Sequence, residues 1–267
     1  MPPGCLDIGM SEGQLTTNGL AIYGGIRVNP IRLTAFALGL GSCMLAVPTV
    51  AAEQTYTYTV LHPVFGDIGN FTDRIDRSGG QLRIYTHMDV AVRLLGVLAY
   101  REEAQGSEVM QGNQLVSIEN VGDVDGQPLS VHGQISGGKF VVKSRAGTIT
   151  APLNVVPSDP WLVRLSTQGK VVSTRTGQVV DVTVTGGEPT TVEIQGAPLH
   201  THHYIVNGDK RQEVWMDDSG IPVKFRSLED GVAIDFVLKT PLAQAIPGYV
   251  ATASRVVPEA RAGASDR

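Results

Sequence analysis

The sequence predicts an all-β protein, an antiparallel meander curled into a barrel, half-barrel or sandwich, with one short helix. Two observations carry this. Turn signals recur at short intervals: Ser78-Gly79-Gly80, Asp125-Gly126, Gly137-Gly138, Ala146-Gly147, Thr176-Gly177, Gly186-Gly187, Asn207-Gly208, Ser219-Gly220 and Asp230-Gly231. Glycine, and less readily Asn and Asp, takes the positive φ that tight hairpins demand. Between the turns lie short runs rich in Val, Ile, Thr and Tyr. Several alternate polar with apolar residues, as a sheet with one buried and one wet face requires.

In chain order, the first element is a leader. Leu33 to Val50 is almost continuously apolar, follows Arg27 and Arg32, and closes on Val50-Ala51-Ala52. A basic flank, an apolar core and a small-residue exit form the pattern of an export signal. Residues 1-52 are therefore expected to be an N-terminal extension and signal peptide. Cleavage near Ala52 would leave a periplasmic or secreted protein. The alternative is a lipoprotein acylated at Cys43, because Leu40-Gly41-Ser42-Cys43 resembles a lipobox. Met44-Leu45-Ala46-Val47 weighs against it, since it continues the apolar core where a polar tether would start. The chain has two cysteines, Cys5 and Cys43, and both precede Glu53. Disulfides, thiol catalysis and Cys-ligated zinc are thus excluded from everything after the leader.

A single β-rich domain is expected over residues 53-239. Its strand signals are Gln54–Val60, Leu82–Thr86, Leu115–Asn120, Phe140–Lys143, Val179–Val184, Tyr204–Val206, Gln212–Met216 and Pro222–Arg226. The roughly 215 residues after Ala52 bury enough surface to fold without disulfides. One helix interrupts the strands, over Asp159–Gln168. Asp159 is a good N-cap, Pro160 suits the first helical position and Gly169 is a natural stop. Trp161 and Leu165, four apart, would share a face. This helix would plug an open end of the sheet with Trp161 as anchor, or cover a cavity as a lid. From Thr240 the chain turns Ala- and Pro-rich, and a flexible C-terminal tail is expected over 240-267.

The formal net charge is -5. Basic residues are scattered, with no Lys/Arg stripe interleaved with aromatics, so no nucleic-acid partner is expected. After the leader no apolar run approaches the ~20 residues of a membrane helix, so no span is expected in the mature chain. Val90 to Tyr100 is the most apolar stretch, and Arg93 interrupts it.

Chemical signatures are sparse. No Gly-x-Ser-x-Gly elbow or glycine-rich phosphate loop is present, and no catalytic residue and no cofactor are assigned. In His200-Thr201-His202-His203, strand geometry puts His200 and His202 on one face. Two imidazoles could hold Zn²⁺ or Cu²⁺ with Glu193 or Glu213 as a third ligand from a neighbouring strand. No spacing rule defines that ligand, so exposed imidazoles and no structural zinc are expected. Asp217-Asp218-Ser219-Gly220 reads as a hairpin tip, and Arg101-Glu102-Glu103 as a solvated strand end. The ligand-binding candidates are apolar: Trp161 and Leu165 on the helix, and Leu94, Leu95, Leu98 and Tyr100 in the apolar stretch.

Tyr56-Thr57-Tyr58-Thr59-Val60, Gly66-Asp67-Ile68-Gly69 and the run from Val214 to Phe225 resemble an uncharacterised family of exported bacterial proteins, a domain of unknown function. The resemblance covers about residues 54–239. The strand, Asp-x-Gly turn and strand pattern is distantly similar to the lipoprotein carriers of the LolA/LolB type, periplasmic half-barrels closed by helices around a greasy cavity. This chain opens on a strand where those carriers open on a helix. The resemblance implies a fold more than an activity. The leading expectation is an exported cell-envelope protein, non-enzymatic, binding an apolar small molecule or lipid in a curved β-sheet. One alternative is a solid-cored structural module that binds an envelope protein. The other is a weak metal-dependent or hydrolytic enzyme at the His200 strand.

Overall fold

The computed structural model describes residues 53–250 apart from Asp209 and Asp230. The leader with Cys43, the Ala52 junction and the tail from residue 251 lie outside the described residues. The chain folds as β1 (Gln54–His62), β2 (Gly66–Asp76), β3 (Gln81–Leu94), β4 (Val97–Gln111), β5 (Gln114–Val124), β6 (Gln127–Ser136), β7 (Lys139–Ser144) and β8 (Gly147–Ala151). It continues through β9 (Val156–Pro157), β10 (Lys170–Val172), β11 (Val179–Asp181), β12 (Thr183–Ile194), β13 (Ala197–Asn207), β14 (Arg211–Met216), β15 (Pro222–Glu229) and β16 (Val232–Leu238). A short helix α1 (Leu242–Ala245) follows.

Thirteen strands form one antiparallel sheet in the order β12-β13-β14-β15-β16-β1-β2-β3-β4-β5-β6-β7-β8. Local hairpins make nearly every connection. The exception is the passage from β8 to β12, which runs through β9, β10 and β11, while β1 lies between β16 and β2 and so joins the two runs of hairpins. The sheet does not close, because β8 and β12 are left as its two ends.

The period of two explains the strands. In β1, Tyr56, Tyr58 and Val60 are buried and alternate with Thr55, Thr57 and Thr59. Asp125-Gly126 and Gly137-Gly138 make tight turns with positive φ at both central residues, as hairpin twist favours. Leu95-Gly96 and Gln195-Gly196 do the same, although Leu and Gln carry no turn signal. Gly186-Gly187 is no turn. It is an irregularity inside β12, opposite His203 and Tyr204. A Cβ at Gly186 would sit 2.3 Å from the His203 carbonyl oxygen, so the backbones approach there only because the side chain is missing.

Between β8 and β12 the chain makes an insert. β9, β10 and β11 form a separate three-stranded sheet in which β9 runs parallel to β10. The expected run Val179–Val184 breaks at Val182, between β11 and β12. The expected helix over Asp159–Gln168 is instead two 3-10 turns, Pro160–Leu162 and Ser166–Gln168. Asp159 does cap the first, and Gly169 ends the second with φ of 91°. The α-helix fails for a packing reason. Trp161, Leu162 and Val163 are all buried, and one apolar stripe of an α-helix cannot bury three successive residues.

The first part of the expected tail, residues 240–250, packs on the domain. Leu242 and Ala245 of α1 are buried, and Ile246 and Tyr249 pack on the core. Thr57 N–H donates to Thr240 Oγ1 at 2.7 Å, and Gln195 Nε2 donates to the Leu238 and Thr240 carbonyls. The folded domain therefore runs past residue 239. Among the described residues no helix is long and apolar enough to cross a membrane.

Candidate functional site

Two strands of the large sheet place an acid on an apolar face. In β2, Phe71, Asp73 and Ile75 point the same way; in β4, Ala104, Glu108 and Met110 do. The insert brings a third acid, Asp159. Asp73, Glu108 and Asp159 are only 0%, 3% and 6% exposed.

Trp161 ties the insert to β2. Its indole Nε1 donates to Asp73 Oδ2 at 2.8 Å, and its backbone N–H donates to Asp159 Oδ1 at 2.8 Å. Its ring lies 4.6 Å from the Tyr56 ring. Among the described residues, the other Asp73 oxygen, Oδ1, has no hydrogen-bond partner, and neither has Glu108 Oε2. Burial disfavours the charged form, and the acids repel one another. Burial first, and then the neighbouring Asp159, hold Asp73 and Glu108 well above the ordinary carboxyl range. The Trp161 indole acts the other way on Asp73. Burial pushes Asp159 up to about 7, against the Trp161 N–H.

Beside these acids lies a cavity of about 220 Å³. One wall is aromatic. Phe225 and Phe236 stack with centroids 4.4 Å apart, and Phe71 stands edge-on to both at 5.7 Å. Met88, Ile118 and Val214 extend the apolar lining, while Glu108, Asn120 and Asp159 supply polar groups. Asn120 donates through Nδ2 to the Thr174 carbonyl at 2.8 Å, and its Oδ1 has no partner. Glu108 and Asn120 thus both line the cavity with an oxygen that finds no partner among the described residues.

Glu102 also lines the cavity, and it is 5% exposed rather than the solvated strand end expected. Its Oε2 accepts from the Tyr100 hydroxyl at 2.6 Å and from the Arg175 guanidinium at 3.0 Å. Arg175 belongs to the insert, which is why the local Arg-Glu-Glu pattern could not announce this burial. Burial and then the Glu102 carboxylate push the Tyr100 phenol up to about 12.

The expected ligand residues do not converge. Trp161 is buried as a plug, and Leu165 is half-buried; the cavity lining includes neither. Leu94, Leu95 and Leu98 stand at the β3–β4 tip, 50%, 105% and 45% exposed. Tyr100 reaches the cavity only through Glu102. At the expected metal strand, His200 and His202 do share a face, with rings 5.7 Å apart. Their partners differ from expectation. Glu213 pairs with His203 at 3.0 Å, and Glu193 lies opposite Pro198.

The match to known sequences is to the family described as "Domain of unknown function (DUF6134)", over residues 66–239. The chain belongs to that family. The DUF6134 chain is also similar to a crystal structure described as a beta-barrel-like protein of domain of unknown function DUF1849 from Brucella abortus. That likeness has a TM-score of 0.55 at 13% identity, and covers 70% of this chain and 95% of the other. At such identity it bears on the DUF6134 fold alone. No curated protein matches the chain.

Proposed function

We propose that this DUF6134 protein is a non-catalytic cell-envelope protein that binds a small amphiphile in its concave sheet. The apolar body of the ligand packs on Phe71, Phe225 and Phe236. Its head donates hydrogen bonds to Glu108 and Asn120. The observation that carries the reading is the unpartnered Glu108 Oε2, buried beside the aromatic wall. A buried acceptor without a partner costs about 1–3 kcal/mol, and a donor on a ligand would remove that cost. The export pattern of Arg27 to Ala52 supports the envelope location.

The cavity also limits the ligand. At about 220 Å³ it falls below the ~300–1,000 Å³ of drug-sized sites. A two-chain phospholipid is therefore a poor candidate, and a single short chain with a hydroxyl or amine head is a good one.

Calorimetric titration with short-chain alkanols, alkylamines and alkanoates tests this. Alkanols and alkylamines are expected to bind one per chain, and alkanoates to bind more weakly, because a carboxylate brings no donor to Asn120 Oδ1 and its charge would lose its water. Glu108→Leu should abolish the preference for a donor head. If no probe binds, the solid-cored interaction module takes the lead. N-terminal sequencing of the exported form separates cleavage after Ala52 from acylation at Cys43.

A further inference from the structure

We propose that His200, His202 and Asp218 form a surface site for a borderline divalent transition-metal ion of the zinc(II) or copper(II) class. The site is separate from the cavity and does not depend on the binding reading above.

Topology assembles the donors. His200 and His202 alternate onto one face of β13. The β13–β14 register pairs His202 with Met216, and continuing it past the strand end sets Asp218 opposite His200. Asp218 lies in the β14–β15 turn, which Asp217 braces. Ile221 N–H donates to Asp217 Oδ1 at 2.7 Å, and Asp217 N–H donates to the Ile221 carbonyl at 2.9 Å. The carboxylate is thus presented from a fixed turn.

The distances suit a metal. Asp218 Oδ1 is 3.2 Å from His200 Nδ1 and 3.2 Å from His202 Nε2. All three donor atoms lie within 4.8 Å of one another. Tetrahedral ligands held at ~2.0–2.1 Å from zinc are about 3.4 Å apart, so two edges of the triangle already have the required length. His200 is 56% exposed at its side chain and can turn to shorten the third.

The orientation of His202 gives an independent reason. Its Nδ1 lies 2.9 Å from the Gly187 carbonyl oxygen. A carbonyl only accepts, so Nδ1 carries the hydrogen. In the neutral ring Nε2 is then a bare lone pair, and it faces a carboxylate oxygen. Two acceptors at that distance repel unless a cation lies between them. A backbone carbonyl that sets the tautomer so that the other nitrogen can ligate is the usual support of a metal-bound histidine. The third donor comes from a turn, not from Glu193 or Glu213. The donors' exposure leaves coordination positions to water, so the site would exchange its metal and would not be a structural zinc. The competing occupant of the gap is a proton, giving an imidazolium–carboxylate pair and no metal affinity.

Titration of metal-stripped full-length protein with Zn²⁺ and Cu²⁺ at neutral pH decides between them. One ion per chain is expected. His202→Ala should weaken binding about 100-fold and Asp218→Asn about 10-fold. His203→Ala, on the opposite face, should leave the affinity unchanged. Bound Cu²⁺ should show coupling to two imidazole nitrogens by electron paramagnetic resonance. Asp218→Asn should melt near the wild-type temperature, since its side chain is 71% exposed, and the melting temperatures of His202→Ala and His203→Ala show that each is folded during the titration. Absence of a saturable site in folded wild type, or an affinity indifferent to His202→Ala, would overturn the proposal.

Discussion

Strand β4 passes through two environments, and they hold opposite kinds of residue. At its start Val97 and Leu98 are 70% and 45% exposed, beside Leu94 and Leu95 of the same hairpin. In its middle Glu102 and Glu108 are 5% and 3% exposed. Hydropathy alone would exchange the two regions. The difference teaches that burial in a curved sheet follows from what lies across from a residue. The tip has only its own turn around it. The middle faces the insert, and the residues that cover it also supply Arg175 to Glu102 and Trp161 to Asp73.

The largest way to break the contrast is to remove the plug. Trp161→Ala should cost about 3–5 kcal/mol of stability, read as a lower urea midpoint. Trp161→Phe keeps most of the packing and should still cost about 1–3 kcal/mol, since Asp73 would lose its donor. If Trp161→Ala is mild, the insert is a lid and not part of the core.

Acidity gives the next effect. Asp159 has its carboxyl pushed up to about 7 from 3.8, and Asp73 and Glu108 are raised too. Between about pH 4 and 7 the folded state keeps protons that the unfolded state releases. Stability should therefore be greatest below pH 4 as far as these groups decide it, and be lost as pH rises through 7. Asp159→Asn keeps an oxygen for the Trp161 N–H and should flatten the decline of melting temperature between pH 5 and 8. An unchanged profile would mean that the acids are not sealed from water.

The tip should answer in the other direction. Leu95 has φ of 52°, a conformation that costs a side-chain-bearing residue about 1–2 kcal/mol. Leu95→Gly should stabilise the fold by about 1 kcal/mol, read as a higher urea midpoint. The smallest effect is expected at Leu94→Ser and Leu98→Ser. These exposed sites should shift stability by no more than about 0.5 kcal/mol and leave cavity titrations unaltered. A lost ligand response in either variant would return these leucines to the binding site.

Much of the meander was legible because its turns use residues that tolerate positive φ, as at Asp125-Gly126 and Gly137-Gly138. Leu95-Gly96 escaped because leucine carries no such signal. Gly186-Gly187 misled because glycine serves a close backbone approach as readily as a turn. The site was less legible. Arg175 lies 73 residues from Glu102, and no local pattern spans that gap. Asp73 and Glu108 did leave a trace, since each interrupts an apolar face at a spacing of two. An acid at such a position reads as solvent-facing unless the parity of its neighbours is followed. Asp218 was read correctly as a turn residue, and only the β13–β14 register shows that this turn ends beside His200.

The placement of β1 bears on how the chain assembles. It pairs with β2 through a nearby turn, but its other edge waits for β16, and its Thr57 amide reaches Thr240 across 183 positions. Among the strands described here, β1 emerges first from the ribosome, and one of its partners emerges last. Contacts so distant along the chain slow folding, because a long loop must close before they form. Until then β1 presents an unpaired edge that another copy of the chain can add to. Chains interrupted before β16 should therefore aggregate through their first strand, and the completed C-terminal hairpin acts as the guard on the N-terminal one.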